Sequence, residues 1–186
     1  VTQQADTASE VQALRRQLDE AMTELRHLRD RQVILEAVRR HARGYDRNDR
    51  DLMASAYWPD AQVNYGDWYS GEPQGMITWG NAFVQDRTVA RLHHITTQTV
   101  EIDGDVAHAE TYVIWTMLSP EKVANIGSGR YIDKLERRNG EWRISIREFF
   151  GETTANVPAS ADPTAMAGTQ DRSDLSYARP LKRRPE

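Results

Sequence analysis

The sequence predicts an α+β fold in which helices come first and an antiparallel meander follows, with the helices packed on one face of a curved sheet. Three observations carry this. From Ser9 to about Arg43 there is no Gly or Pro, and apolar residues recur every three or four positions. Beyond Leu92 the apolar period changes to two. The turn signals "DGD", "SPEK" and "RNGE" then cut the second half into strands.

Val11, Leu14, Leu18, Ala21, Leu25, Leu28 and Leu35 form one helical stripe, with Ser9 as the expected N-cap and Gly44 as the expected stop. The polar Gln32 interrupts the a/d spacing, so the run to about Arg31 is expected to pack on a neighbouring subunit or its own domain. A short helix fits "DRDLMASAYW", closed by Pro59; "AQVNYGDWYSG" reads as a strand and a Gly-marked loop. The segment "ITWGNAFVQDRTVARL" reads as a third helix with Gly80 as its weak point. Strands are predicted over His94–Ile102, Val106–Leu118, about 127–138 and Glu141–Glu148, the last two joined by an Asn-Gly hairpin. Residues 151–186 have few apolar side chains and four prolines, and read as an extended arm anchored by Leu175, Tyr177 and Leu181. The expected organisation is a helical extension (1–31), one domain (32–151) and an arm (152–186).

Composition removes several classes of function. The 186 residues carry a net charge of −4 with acids and bases mixed, which gives no broad surface for a phosphate backbone, so no nucleic-acid partner is expected. The closing "LKRRP" reads as a solvated terminus. The absence of cysteine excludes disulfides, thiolate nucleophiles and Cys-ligated zinc. There is no apolar run of membrane-spanning length and no signal-peptide pattern at the start, so a soluble cytoplasmic protein without a membrane partner is expected. With no Gly-rich dinucleotide fingerprint, Walker motif or helical His-x-x-x-His pair, neither cofactor nor metal is expected.

The doublet His93-His94 opens a predicted strand. Regular alternation from His94 puts it on the face of Val100 and Ile102, toward the interior, and sends His93 the other way. An inward histidine alone is a core residue; chemistry needs a partner. Asp46, beside Gly44 at the end of the first helix, is the candidate, although by itself it reads equally as a turn residue.

The order of a long helix, "YDRNDRDLMASAYWPDA", a further helix, "HHITTQTVEIDGDVAHAETYVIW" and "YIDKLERRNGEWRISIRE" resembles the SnoaL-like branch of the nuclear transport factor 2-like superfamily, over about residues 32–151. Enzymes of that branch include scytalone dehydratase, bile acid 7α-dehydratase, hexachlorocyclohexane dehydrochlorinase and a diarylpropane lyase that releases formaldehyde. The resemblance implies a cone-shaped, barrel-like curved sheet and a His-Asp dyad formed by His94 and Asp46. It also points to Arg147 in the last strand, to His41, where relatives carry lysine or tyrosine, and to Tyr65 as a pocket residue. It further implies a homo-oligomer, a trimer in preference to a dimer. Strand parity sets Arg147 opposite Trp142, Ile144 and Ile146 unless a bulge intervenes.

A neutral imidazole can take a proton while a carboxylate fixes its tautomer. Arg147, His41 or Tyr65 could then stabilise a departing group. Aromatic residues gather around the expected cavity: Tyr65, Trp68, Tyr69, Trp79, Tyr112, Trp115, Tyr131, Phe149 and Phe150, suited to a flat or polycyclic small molecule. His108 is a second proton-transfer candidate, and Ile95, Val113 and Met117 are expected on the outer face, too apolar for solvent. The expected activity is a cofactor-independent lyase that eliminates water, halide or formaldehyde. An isomerase or cyclase in the same pocket and a non-catalytic assembly subunit are the alternatives.

Overall fold

A computed structural model describes residues 2–159 and 168–181; the basic run after Leu181 lies outside them. Helix α1 runs from Thr2 to Asp46, so both Ser9 and Gly44 lie inside it and neither is a cap. Gly44 is required by packing. A Cβ there would meet the Met53 backbone nitrogen at 2.6 Å, so only glycine lets the next helix approach so closely. That helix, α2 (Arg50–Ala54), is capped by the Asp49 side chain, which accepts from the Leu52 amide at 3.1 Å. Strand β1 (Tyr57–Asn64) begins before Pro59, and the two-residue strand β2 (Ser70–Gly71) pairs with it. Helix α3 (Pro73–Val84) starts earlier than its apolar period suggested, with Pro73 in its first turn.

Strands β3 (Ala90–Asp103), β4 (Val106–Leu118), β5 (Val123–Arg138) and β6 (Glu141–Pro158) form the expected antiparallel meander. The last strand continues past Glu148, pairing Val123–Gly129 of β5 with Gly151–Pro158, a stretch that read as part of an irregular arm. The sheet order is β2-β1-β6-β5-β4-β3, and β1 runs parallel to β6. The curved sheet is therefore mixed, and it is unclosed.

Two bulges decide which residues face inward. In β3 the pairing slips between Ile95 and Gln98, so Thr96 and Thr97 are both exposed. Before the bulge the odd positions Arg91, His93 and Ile95 face the helices; after it the even positions Gln98, Val100 and Ile102 do. In β6 the slip falls between Ile144 and Ile146, opposite Leu135 and Lys134, which places Trp142, Ile144 and Arg147 all inside and turns Ile146 out.

Contacts divide the chain into residues 1–33 and 34–186. In the first unit Leu14, Leu18, Leu25 and Leu28 are exposed. In the second, Val38, Val113, Trp115 and Tyr131 form a cluster against which Tyr65, Ile95, Met117 and Phe149 pack. Ile95, Val113 and Met117 thus face the interior, contrary to their expected outward placement. The outer face instead carries Leu92, Tyr112, Ile114, Ile126 and Phe150, all exposed. Residues 168–181 fold back onto the junction of α1 and α2. Tyr177 donates to Asp49 Oδ2 at 2.9 Å and lies under Arg43, Arg172 donates to Asp49 Oδ1 at 2.8 Å, and Asp174 faces Arg47 at 3.5 Å. Leu175 and Leu181 are exposed, so charge and hydrogen bonding anchor this segment.

Candidate active site

The end of α1 points Asp46 at the start of β3, and the histidine it meets is His93. His93 Nδ1 lies 2.6 Å from Asp46 Oδ1, and the His93 backbone N–H donates to Asp46 Oδ2 at 2.9 Å. Both carboxylate oxygens are thereby used on one residue. The ring N–H on Nδ1 follows from this pairing and leaves Nε2 as the basic nitrogen, without a protein partner among the described residues. Tyr45 packs edge-on against the ring at 5.2 Å. His94, the expected base, is exposed and sits opposite Ile114 on the outer face. The bulge at Thr96–Thr97 is the physical reason: it reverses the parity that a regular strand would have carried back from Val100.

A second chain of groups runs beside the dyad. Arg147 is wholly buried and forms two 2.7 Å hydrogen bonds to Asp133, directly opposite it on β5. Burial opposes the charge, but Asp133 prevails and holds the guanidinium firmly protonated. Its third bond is donated to the Tyr57 hydroxyl at 2.9 Å; Tyr57 in turn lies 2.8 Å from His41 Nδ1, and His41 Nε2 lies 3.3 Å from the Tyr65 hydroxyl. Burial first, then the positive field of Arg147, pushes His41 well below the ordinary imidazole range.

Neutral His41 donates through one ring nitrogen and accepts through the other, so it links two phenols, Tyr57 at Nδ1 and Tyr65 at Nε2, while the Tyr57 oxygen also accepts from Arg147. In the tautomer with its hydrogen on Nε2, His41 donates to Tyr65, which then keeps its own O–H to donate outward. Burial raises the Tyr65 pKa, against the pull of Arg147, and keeps that proton in place. Arg147 acts on this group of phenols through its bond to Tyr57 and through its charge beside Tyr65.

Phe149 joins the aromatic wall, lying 5.1 Å from Tyr65, 5.5 Å from Tyr131 and 5.9 Å from Trp115. Tyr131 also faces the His41 ring and lies under the Arg147 guanidinium at 4.0 Å. Trp68 is 62% exposed at the rim, 6.2 Å from Phe149, and Tyr69 stacks on Trp79 while donating to the Glu72 carbonyl. Tyr112 is 45% exposed on the outer face and is not a pocket residue; His108 is likewise exposed. Tyr57, Asp133 and Tyr45 were not anticipated. The Asp133–Arg147 pair had a readable signal, since a charge of each sign stands amid the apolar residues of two hairpin strands. Among the described residues no three His, Asp or Glu side chains gather to hold a metal ion.

The arrangement defines an α+β fold in which an Asp-oriented imidazole and a buried phenol meet an aromatic interior over a curved, unclosed sheet. The chain belongs to the SnoaL-like domain family, whose model matches residues 26–148. It is similar in structure to a type 2 hexachlorocyclohexane dehydrochlorinase (LinA), with a TM-score of 0.70, 20% identity and coverage of 76% of this chain and 99% of that one. A LinA-type3 dehydrochlorinase from Novosphingobium barchaimii gives 0.69, 21% identity and coverage of 75% and 99%. A protein provisionally named scytalone dehydratase from Novosphingobium aromaticivorans gives 0.62, 18% identity and coverage of 76% and 97%. At these identities the likeness establishes the fold. Comparison with curated proteins finds no match. Among the described residues no helix is long and apolar enough to cross a membrane.

Proposed function

We propose that the chain is a cofactor-independent lyase that removes a proton with His93 and expels a leaving group from a hydrophobic, aromatic or polycyclic small molecule. The observation that carries this reading is the 2.6 Å bond from Asp46 to His93 Nδ1, which frees Nε2 as base. Nε2 takes a proton from carbon, Asp46 stabilises the imidazolium, and the C–H electron pair forms the new π bond as the adjacent bond breaks. Tyr65, oriented by His41, donates a hydrogen bond to the departing atom. A halide leaves as such, and a hydroxide is completed as water by the proton His93 has taken. For a substrate with a hydroxymethyl group α to a carbonyl, the same base takes the hydroxyl proton, the O–H pair becomes the C=O of formaldehyde, and the pair of the broken carbon–carbon bond passes to an enolate that protonated His93 reprotonates.

The protonated phenol beside a base also suits an isomerase, in which Tyr65 would hold an enolate oxygen. Incubation of the purified protein with pooled aromatic and steroidal alcohols and halides, read by mass spectrometry without added cofactor, separates the two. Elimination gives products lighter by water, hydrogen halide or formaldehyde; isomerisation leaves mass unchanged. Turnover equal in wild type and His93→Ala overturns both. The likeness to LinA supports elimination as the first class to test. The apolar outer face supports a homo-oligomer, with a trimer favoured.

A further inference from the structure

Outside the dyad and its aromatic wall lies a cavity of about 440 Å³ between the end of α3, the start of β3 and residues 168–170. Arg91 lines it and is only 4% exposed. Its guanidinium lies 5.2 Å over the Tyr45 ring and has no hydrogen-bond acceptor among the described residues; its Nε is sealed and unpartnered. Asp46, whose field reaches Arg91, spends both oxygens on His93. The remaining polar lining, Asn48, Asn81, Gln85, Thr88, Thr169 and Gln170, is neutral, and among the described residues no acid lines the space.

A cation this far removed from water without a hydrogen-bonded anion is costly, and burial lowers its proton affinity against the more distant field of Asp46. A guanidinium in that position matches a carboxylate in charge and in its forked geometry. We propose that Arg91 makes this cavity a binding site for a small organic carboxylate, with the neutral side chains of Asn48, Gln85, Thr88 and Thr169 around the rest of the molecule. The volume accommodates one substituted ring. Tyr45 touches both Arg91 and His93, so the site neighbours the dyad but is built from other residues. It stands whether or not His93 is a base.

Thermal unfolding of the full chain with millimolar 4-hydroxybenzoate tests this, because a ligand that binds only the folded state raises the melting temperature. The wild type is expected to shift upward saturably, and 4-hydroxybenzamide, the same shape without the charge, is expected to do nothing. Arg91→Gln should weaken binding by ~10-fold or more, the scale of one charged hydrogen bond. Gln85→Trp, which fills the cavity while keeping the charge, should abolish the shift. His93→Ala should retain it. An absent shift in the wild type, equal shifts in the wild type and both cavity variants, or loss of the shift in His93→Ala overturns the proposal. A shift with inorganic phosphate and none with 4-hydroxybenzoate overturns the assignment to an organic acid.

Discussion

Asp46 grips His93 twice, at the ring nitrogen (2.6 Å) and at the backbone amide (2.9 Å), so the carboxylate fixes both the tautomer of the imidazole and the position of the strand that carries it. Replacing His93 with Ala removes only the first of these. His93→Ala is expected to lower turnover ~10²–10⁴-fold with the fold intact, and Asp46→Asn to act in the same direction. His94→Ala, on the outer face, should leave turnover near wild type. Steady-state kinetics on the three variants, with circular dichroism to confirm folding, decides this, and a larger loss in His94→Ala would contradict the observed register.

The bond chain ending at Tyr65 separates binding from stability. Tyr65→Phe removes the hydroxyl proposed to donate to the departing atom and should lower kcat by ~10²-fold or more, with a much smaller effect on melting temperature. Asp133→Asn leaves the buried Arg147 charge uncompensated and should destabilise the fold by about 3–5 kcal/mol, read by urea denaturation.

His41 makes stability depend on pH. Its folded pKa lies well below the unfolded value near 6.5, so between the two the unfolded chain binds a proton that the folded chain refuses. The stability tied to neutral His41 is complete above pH ~6.5 and is lost as pH falls from there toward the folded pKa, by up to about 1.4 kcal/mol per pH unit. His41→Asn should flatten this slope. Denaturation series at successive pH values check it, and an unchanged slope would remove His41 as its source.

Gly44→Ala should be damaging although alanine favours helices. The new Cβ would press on the Met53 backbone nitrogen at 2.6 Å and force α1 and α2 apart, at a cost of about 1–3 kcal/mol. Because Asp46 is two residues further along α1, the same variant should lose turnover beyond what its stability explains, as kinetics well below its melting temperature would show.

Self-association is expected through the outer face that carries Tyr112, Ile114 and Phe150. Sedimentation at micromolar concentration should find an oligomer, with Ile114→Lys shifting it toward monomer. Deleting residues 1–28 should weaken assembly or thermal stability more than turnover, since Asp46 and His93 lie beyond the deletion. A monomeric wild type would remove this explanation of the apolar outer face.

The helices and the meander are legible in the sequence because side-chain periodicity and turn residues are local properties; Asp46, His41, Arg147 and Tyr65 are reached only through the family resemblance, and strand parity alone turns Arg147 away from the face of Ile144. The choice between His93 and His94 was not. Alternation can be carried only as far as the strand is regular, and two adjacent exposed threonines at 96 and 97 resemble ordinary strand residues in composition. The same break in β6 gives Arg147 the face of Ile144 in place of that of Ile146. Tyr57 and Asp133 went unnoticed for a different reason: their roles exist only through partners far away in the chain, which no local pattern encodes.

The histidine doublet bears on what the bulge in β3 decides. Were an ancestral or engineered strand to lose the bulge and run regularly back from Gln98, the inward position nearest Asp46 would pass from His93 to His94. An imidazole would still arrive at the carboxylate, displaced along the chain by one residue. The repeated histidine thus keeps an imidazole opposite the carboxylate through a one-residue slip of the strand, a change that a single histidine at this place would not survive.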